Sequence, residues 1–119
     1  MAIEVNVKRV REPAAVSDGY RVLVDRLWPR GVSQQAAHLD EWARELAPSD
    51  HLRRWFGHRP QRFGEFRVRY LAELRDQREA LRELRGRARK GAVTLLYAAR
   101  EGEHNNAVVL AEVLRRGLR

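Results

Sequence analysis

The stretch that decides the fold is AVTLLYAA, Ala92 to Ala99, which is apolar, aromatic or β-branched at every position. Gly91 precedes it and the polar sequence REGEHNN follows it, so the apolar run has clear limits. Strands of this composition occur at the centre of a sheet, where both faces are covered. We therefore predict a buried central strand over these residues.

Two further strands are predicted upstream of this one. From Ile3 to Val10, apolar residues largely alternate with polar ones, which is the pattern of a half-exposed edge strand. After a polar loop over 13–19, the sequence YRVLVDRL (20–27) contains the continuous apolar run Val22, Leu23 and Val24. Such a run indicates a second strand that is buried on both faces.

Between Gly31 and Gly91 the apolar residues have helical spacing, and we predict helices and no strand there. Pro48 ends the first of these helices, and Ser49 is a suitable N-cap for a short second one. Pro60 begins a long third helix. The first helix is predicted from Leu39, Trp42, Ala43 and Leu46, the second from Leu52, Trp55 and Phe56, and the third from Phe63, Phe66, Tyr70, Leu74, Leu81 and Leu84. We expect Trp42, Trp55, Phe66 and Tyr70 to be largely buried.

A last helix follows the third strand, with Asn105 or Asn106 as its N-cap. The order of strands and helices predicts an α/β fold with a small, mostly parallel sheet of three or more strands and helices packed on it. A long helical crossover joins strands two and three, which we expect to be parallel and adjacent. The length of 119 residues suits a single domain over 1–119.

Composition excludes several classes of site. The chain has no cysteine, so a thiol nucleophile or a thiolate metal site is excluded. Its histidines have no paired spacing, and it lacks a glycine-rich phosphate loop, so we expect no metal and no cofactor. The first residues resemble neither a signal peptide nor a membrane span, which predicts a cytoplasmic protein that does not enter a membrane. The net charge of +8 favours anionic partners.

Polar residues cluster where the two buried strands end. In open α/β sheets ligands bind beyond the carboxyl ends of the strands, so these two clusters are predicted to form one site. The first cluster is Asp25, Arg26, Trp28, Arg30 and Gly31. The second is Tyr97, Arg100, Glu101, His104 and Asn105.

Each residue type in these clusters has a chemical use. Arginine binds phosphate or carboxylate oxygens, and the free N–H groups at a helix start near Asn105 add donors for the same anion. We expect Arg30 to be the main recognition residue, with Arg26 divided between the anion and pairing with Asp25. The site therefore predicts an anionic small molecule, such as a phosphate compound or a nucleotide, as the ligand. The charged strand end also has a purely structural interpretation, as an ion pair and a turn.

Two other functions stay open at this level. His104 and Asp25 could act as acid and base in a hydrolase or transferase. Alternatively, the basic surface could bind nucleic acid, or serve a regulatory module, through arginines on the long helix: Arg67, Arg75, Arg78, Arg82 and Arg85. Glu73, Glu79 and Glu83 are interleaved with those arginines, and their spacing favours an ion-paired, solvated face instead. The oligomeric state is not predicted.

Five segments of the chain together resemble the YeaO-like branch of DUF488, a bacterial family of unknown function. They are RVLVDRLWPRGV, WARELAPS, LRRWFGH, FRVRYLAEL and VTLLYAAREGEHNNAVVL, and the resemblance runs from Tyr20 to Leu114. It implies no established activity, but it marks residues 25–31 and 94–105 as the family's hallmark segments. A related branch carries Cys-His-Arg where this chain has EHNN (103–106), so any chemistry here would use His104, Asp25, Glu101 or Tyr97.

Overall fold

The computed structural model describes residues 3–117, which form a four-stranded, all-parallel sheet with helices packed on it. The strands stand in the order β1-β4-β2-β3. Their bounds are β1 Val5–Arg9, β2 Tyr20–Leu23, β3 Glu41–Trp42 and β4 Val93–Tyr97. The helices are α1 Gln34–Ala37, α2 Asp50–Phe56, α3 Phe63–Leu74, α4 Arg78–Lys90 and α5 Asn106–Arg116. The predicted α/β class is confirmed.

The predicted central strand is β4, which lies between β1 and β2. It pairs in parallel with both neighbours, with Val93 opposite Val5 on one side and Tyr20 on the other. All five residues of β4 are buried, as a run without polar alternation requires. β1 lies at the edge of the sheet, as its alternating pattern predicts. The adjacent, parallel arrangement predicted for the two buried strands is thus confirmed.

The segment predicted as a helix over 39–46 folds differently. Residues Glu41 and Trp42 form the short strand β3, and a 3-10 turn follows over Arg44–Leu46. The backbone N–H of Ala43 donates to the carbonyl of Leu23 at 2.9 Å, so that this segment continues the sheet. The expectation of no strand between residues 31 and 91 is therefore wrong, because pairing with the exposed edge of β2 outweighs helical spacing in so short a segment.

The crossover from β2 to β4 is mainly helical, as predicted, but its long helix is two helices. A 3-10 turn over Arg75–Gln77 separates α3 from α4. α3 packs against α2 and α5, whereas α4 packs against α5 and the turn over 44–46. Because of the turn over 75–77, the apolar sides of α3 and α4 pack against different neighbouring elements.

The two faces of the sheet are covered differently. The larger apolar core lies between one face and helices α2 to α5, and it contains the fully buried Phe66 and Tyr70. The smaller core lies on the other face, under α1 and the loop after β2. Trp42 and Trp55 are only partly buried, contrary to expectation, because each presents one ring face to an arginine side chain at the surface.

A closed ionic cluster lies on the sheet face that carries α1. Arg21 is 4% exposed, and its Nη1 donates to Asp18 Oδ2 at 2.5 Å. Its Nε and Nη2 donate to the carbonyls of His38 and Ala37 at 3.0 and 2.9 Å. Lys8 Nζ contacts the same Asp18 carboxylate at 3.1 Å. Every nitrogen of the Arg21 guanidinium therefore has a protein partner.

Within the part of the chain that the structure describes, no helix is both long enough and apolar enough to cross a lipid bilayer.

Candidate functional site

A cavity of about 350 Å³ opens beyond the carboxyl ends of β2 and β4. Residues 25–30, directly after β2, line one side of it. Pro48, residues of α2 and His58 line another side. Phe66, the two alanines after β4 (98–99) and the asparagines at the start of α5 complete the lining. The cavity lies where ligands bind in open α/β sheets.

Asp25 ties the two strand ends together. Its Oδ2 accepts a hydrogen bond from the backbone N–H of Ala98 at 2.9 Å, and its Oδ1 accepts one from Asn106 Nδ2 at 3.1 Å. Burial raises the pKa of Asp25, although these two bonds and the charges of His58 and Arg53 act in the opposite direction. Asp25 is therefore a fixed acidic group on the cavity wall.

Arg26 lies beside Asp25 in sequence but does not pair with it. Arg26 Nε donates to the carbonyl oxygen of Pro48 at 2.9 Å. Its Nη groups form no hydrogen bond or ion pair within residues 3–117. The predicted division of Arg26 between an anion and Asp25 is therefore wrong in its second part, because backbone and amide donors satisfy the Asp25 carboxylate.

Arg30 stands on a tight turn at the cavity rim. Pro29 before it is buried, and Gly31 after it has φ +78°, a conformation that favours glycine. The Arg30 carbonyl accepts a hydrogen bond from Arg11 Nη2, which braces the backbone of the turn. The Arg30 side chain is exposed and forms no hydrogen bond or ion pair in the described chain. Gly31 itself shapes the turn and does not line the cavity.

Two further residues of the cavity wall were missed by sequence reasoning: Arg53 and His58. Arg53 Nη2 donates to Asp50 Oδ1 at 2.6 Å, whereas its Nε is buried and has no hydrogen-bond partner. Gly57 and His58 both have left-handed backbones, with φ of 53° and 57°, and so end α2 sharply beside the cavity. The sequence marked the ends of α2 through Ser49 and Gly57, but it carried no signal for where α2 packs.

Aromatic rings form the apolar part of the cavity lining. Phe56 and Phe66 are stacked, with ring centroids 4.3 Å apart. Trp28 also lines the cavity and has two contacts of its own: its Nε1 donates to the Val32 carbonyl at 2.6 Å, and its ring meets Trp42 edge-on at 5.3 Å. Trp28, a member of the first predicted cluster, therefore lines the cavity as expected of that cluster.

The start of α5 contributes the last part of the lining. Asn105 is the N-cap, since its Oδ1 accepts from the Val108 N–H at 3.0 Å while its Nδ2 donates to the Glu101 carbonyl at 2.9 Å. Asn106 Nδ2 donates to the Val24 carbonyl at 2.9 Å as well as to Asp25. The two asparagines thus fix the first turn of α5 against the end of β2.

Tyr97, Glu101 and His104 do not line the cavity. Tyr97 is 5% exposed in the larger core, and burial raises its pKa. His104 Nδ1 lies 2.9 Å from Glu101 Oε1, and the His104 ring packs edge-on against Phe63 at 5.2 Å. Hydrogen bonds from the backbone and ring of His104 lower the pKa of Glu101. Asp25 and His104 have separate partners, and their joint catalytic role stays a prediction.

Among the described residues, one group of side chains has the composition of a weak metal site. Possible ligand atoms of Glu101, Glu103 and His104 lie within 4.8 Å of one another. The group is at the surface, and Glu101 is already bonded to the backbone N–H groups of Glu103 and His104. These hydrogen bonds stabilise the loop between β4 and α5, and they explain why the three side chains lie close together.

The comparisons with known proteins agree with the sequence resemblance. Residues 4–119 match the model of a family described as the inactive DUF488-N3 subclade. The uncharacterised protein YeaO of Escherichia coli is 45% identical over 113 residues, which cover 95% of this chain and 98% of YeaO. The uncharacterised protein Rv3073c of Mycobacterium tuberculosis is 44% identical over 110 residues, 92% of each chain. No solved structure matches the chain. The chain is therefore a YeaO-like member of the DUF488 family, in the subclade described as inactive.

Proposed function

We propose that this protein binds an anionic small molecule, a phosphate compound or a nucleotide, in the cavity beyond β2 and β4. The observation that carries the proposal is the presence of three arginines, Arg26, Arg30 and Arg53, in the lining of one cavity. Asp25 is the one acidic residue among the described lining residues, so the wall is positive overall. A concave, positive site concentrates anions.

The hydrogen-bonding state of these arginines supports the same proposal. Arg53 Nε is buried without a partner, and neither the Nη groups of Arg26 nor any part of the Arg30 guanidinium is bonded within residues 3–117. A buried donor without a partner costs roughly 1–3 kcal/mol. A phosphate group offers several acceptor oxygens to such donors, and arginine binds it through two N–H groups at once.

The remaining lining favours a ligand with a flat apolar part. Trp28, Phe56 and Phe66 supply ring surfaces next to the arginines. Asp25 is a fixed acceptor that can take a hydrogen bond from an N–H or O–H group of the ligand. A nucleotide has a planar base, donors and phosphate oxygens together. A binding role also suits a family that is described as inactive.

The hydrolase or transferase alternative has less support from the geometry. Its proposed base and acid are separated, since Asp25 lines the cavity while His104 pairs with Glu101 outside the lining. A shared catalytic role requires both groups within hydrogen-bond reach of one substrate.

The proposal is tested by thermal shift and calorimetry with pyrophosphate, phosphate, sulfate and AMP as probes. We expect pyrophosphate or AMP to stabilise the wild type, and Arg30→Ala and Arg53→Ala to weaken binding by about 1.5–3 kcal/mol each. Arg59→Ala is the matched control, because it removes an exposed arginine that does not line the cavity. Equal responses from the control and the two cavity variants would reject the site.

A further inference from the structure

Helix α4 carries a stripe of arginines along one side. Arg78, Arg82, Arg85 and Arg89 follow the spacing i, i+4, i+7 and i+11 within Arg78–Lys90. At 3.6 residues per turn, these positions fall within about 60° of one another around the helix. We call this set the α4 arginine stripe.

The stripe is not on the face of α4 that packs against the apolar core. The buried residues of α4 are Leu81, Leu84 and Ala88, which occupy a neighbouring face. Three of the four stripe arginines are exposed, and Arg85 is half-buried. The stripe therefore faces solvent at Arg78, Arg82 and Arg89, whereas the Nε of Arg85 is buried.

The acidic residues of this region do not neutralise the stripe. Glu79 stands three residues before Arg82, and Glu83 stands four residues before Arg87, yet neither glutamate forms an ion pair in the described chain. Glu73 is bonded to Ser49 through both of its oxygens. Among the described residues, no salt bridge joins these acids to the arginines of α4, contrary to the sequence expectation of an ion-paired face.

The stripe arginines themselves are unpaired. Within residues 3–117, the side chains of Arg78, Arg82, Arg85 and Arg89 form no hydrogen bond, ion pair or ring contact. By contrast, Arg67 of α3 pairs with Glu112, and Arg87, on the opposite side of α4, lies 4.1 Å above the Tyr20 ring. On α4, four arginines without such partners thus lie along one side of the helix.

From this pattern we infer that the α4 arginine stripe binds the phosphate backbone of a nucleic acid. Eleven residues of helix rise by about 16 Å, with one arginine per turn of about 5.4 Å. One strand of a duplex carries a phosphate about every 3.4 Å along its axis, so the stripe spans several of them. A line of uniform charge at this spacing matches a polyanion, and it provides no contact that reads base sequence.

Fluorescence anisotropy with a short labelled DNA duplex and an RNA duplex of equal length tests this inference. We expect Arg82→Ala/Arg89→Ala to bind about tenfold more weakly than the wild type, and its slope of log affinity against log salt to fall by about two. Arg82→Lys/Arg89→Lys should keep most of the affinity, because backbone contacts require the charge more than the guanidinium.

The matched control is Arg59→Ala/Arg100→Ala, which removes the same charge from two exposed arginines away from α4. Equal weakening by this control would show that net charge alone accounts for binding and would overturn the inference. So would tighter binding to anionic phospholipid vesicles or polyglutamate than to either duplex. Circular dichroism establishes that each variant is folded.

Discussion

Arg21, within β2, and the arginines of the cavity, beyond the end of β2, have different states of hydrogen bonding. In the closed cluster, Arg21 is buried and each of its guanidinium nitrogens donates to a protein oxygen. At the cavity, Arg53 Nε has no partner, and Arg30 has none for its whole side chain in the described chain. Every guanidinium nitrogen of Arg21 thus donates a hydrogen bond within the protein, whereas the cavity arginines keep N–H donors that have no protein acceptor within residues 3–117.

The difference separates stability from recognition. A guanidinium whose donors are all satisfied by the protein adds nothing for a ligand to bind, and its loss leaves its partners unpaired. A guanidinium with free donors contributes little to folding and can bind an anion without first breaking an internal bond. We therefore assign Arg21 to the fold and the arginines of the cavity to ligand binding.

The largest effect is expected at Arg21. Arg21→Ala leaves Asp18 buried with Lys8 as its remaining charged partner, and removal of one member of a buried pair costs about 3–5 kcal/mol. Urea denaturation of the two proteins measures this difference.

Arg30→Ala provides the other half of the same experiment. Its side chain is exposed and unbonded in the described chain, so the free energy of unfolding should change by less than about 0.5 kcal/mol. Similar losses of stability in the two variants would remove the distinction between the regions.

A smaller effect is expected from the cap of α2, which positions Arg53. Ser49 Oγ accepts from the Leu52 N–H at 3.1 Å and donates to Glu73 Oε2 at 2.6 Å. Ser49→Ala should cost about 1 kcal/mol of stability and also weaken binding of pyrophosphate or AMP in the cavity.

The control for this variant is a second serine cap. Ser33 Oγ accepts from the Ala36 N–H at the start of α1, which covers the other sheet face. Ser33→Ala should affect stability without changing ligand affinity. If both cap variants weaken ligand binding equally, the position of α2 does not account for the loss of affinity in Ser49→Ala.

The sequence predicts the strand framework better than the cavity, and particular residues show why. β4 was evident because every residue from Val93 to Tyr97 suits a buried strand. Glu41 and Trp42 were assigned to a helix, since two residues are too few to show a strand period. The turn at 25–31 was located by its composition, and its place at a cavity follows from the parallel topology.

The sequence does not predict that Arg53 and His58 line the cavity. Both reach the cavity through the packing of α2 against α3, which depends on contacts between residues far apart in the chain. His104 follows β4 in the sequence, and its ring bonds locally to Glu101, whereas Asp25 bonds to Ala98 and Asn106. The joint catalytic role of His104 and Asp25 stays a prediction.

The pKa values of Asp18 and Asp25 should shift in opposite directions from the usual aspartate value of 3.8. Burial disfavours the Asp18 carboxylate, but the Ala15 N–H, Lys8 and Arg21 outweigh it and lower its pKa, whereas burial raises that of Asp25. Asp18 therefore stabilises the fold above pH 3.8, and this contribution is lost as the pH falls through its lowered pKa. For Asp25, stability decreases as the pH rises from 3.8 through its raised pKa.

Carboxyl ¹³C chemical shifts, followed by NMR from acid to neutral pH, give both pKa values in one sample. Midpoints in the reverse order would contradict the contrast between the two regions. Asp18→Asn and Asp25→Asn assign the two signals.

The most direct test of the central claim follows the arginine Nε–H signals by NMR while pyrophosphate or AMP is added. The account predicts that the signals of Arg53 and Arg30 shift with one common saturation curve, because the anion accepts hydrogen bonds from these side chains. It also predicts that the signal of Arg21, whose Nε is bonded to the His38 carbonyl, stays in place. Saturable shifts at Arg21 with none at Arg53 and Arg30, or no saturable shift at any of the three, would contradict the assignment of the cavity as an anion site.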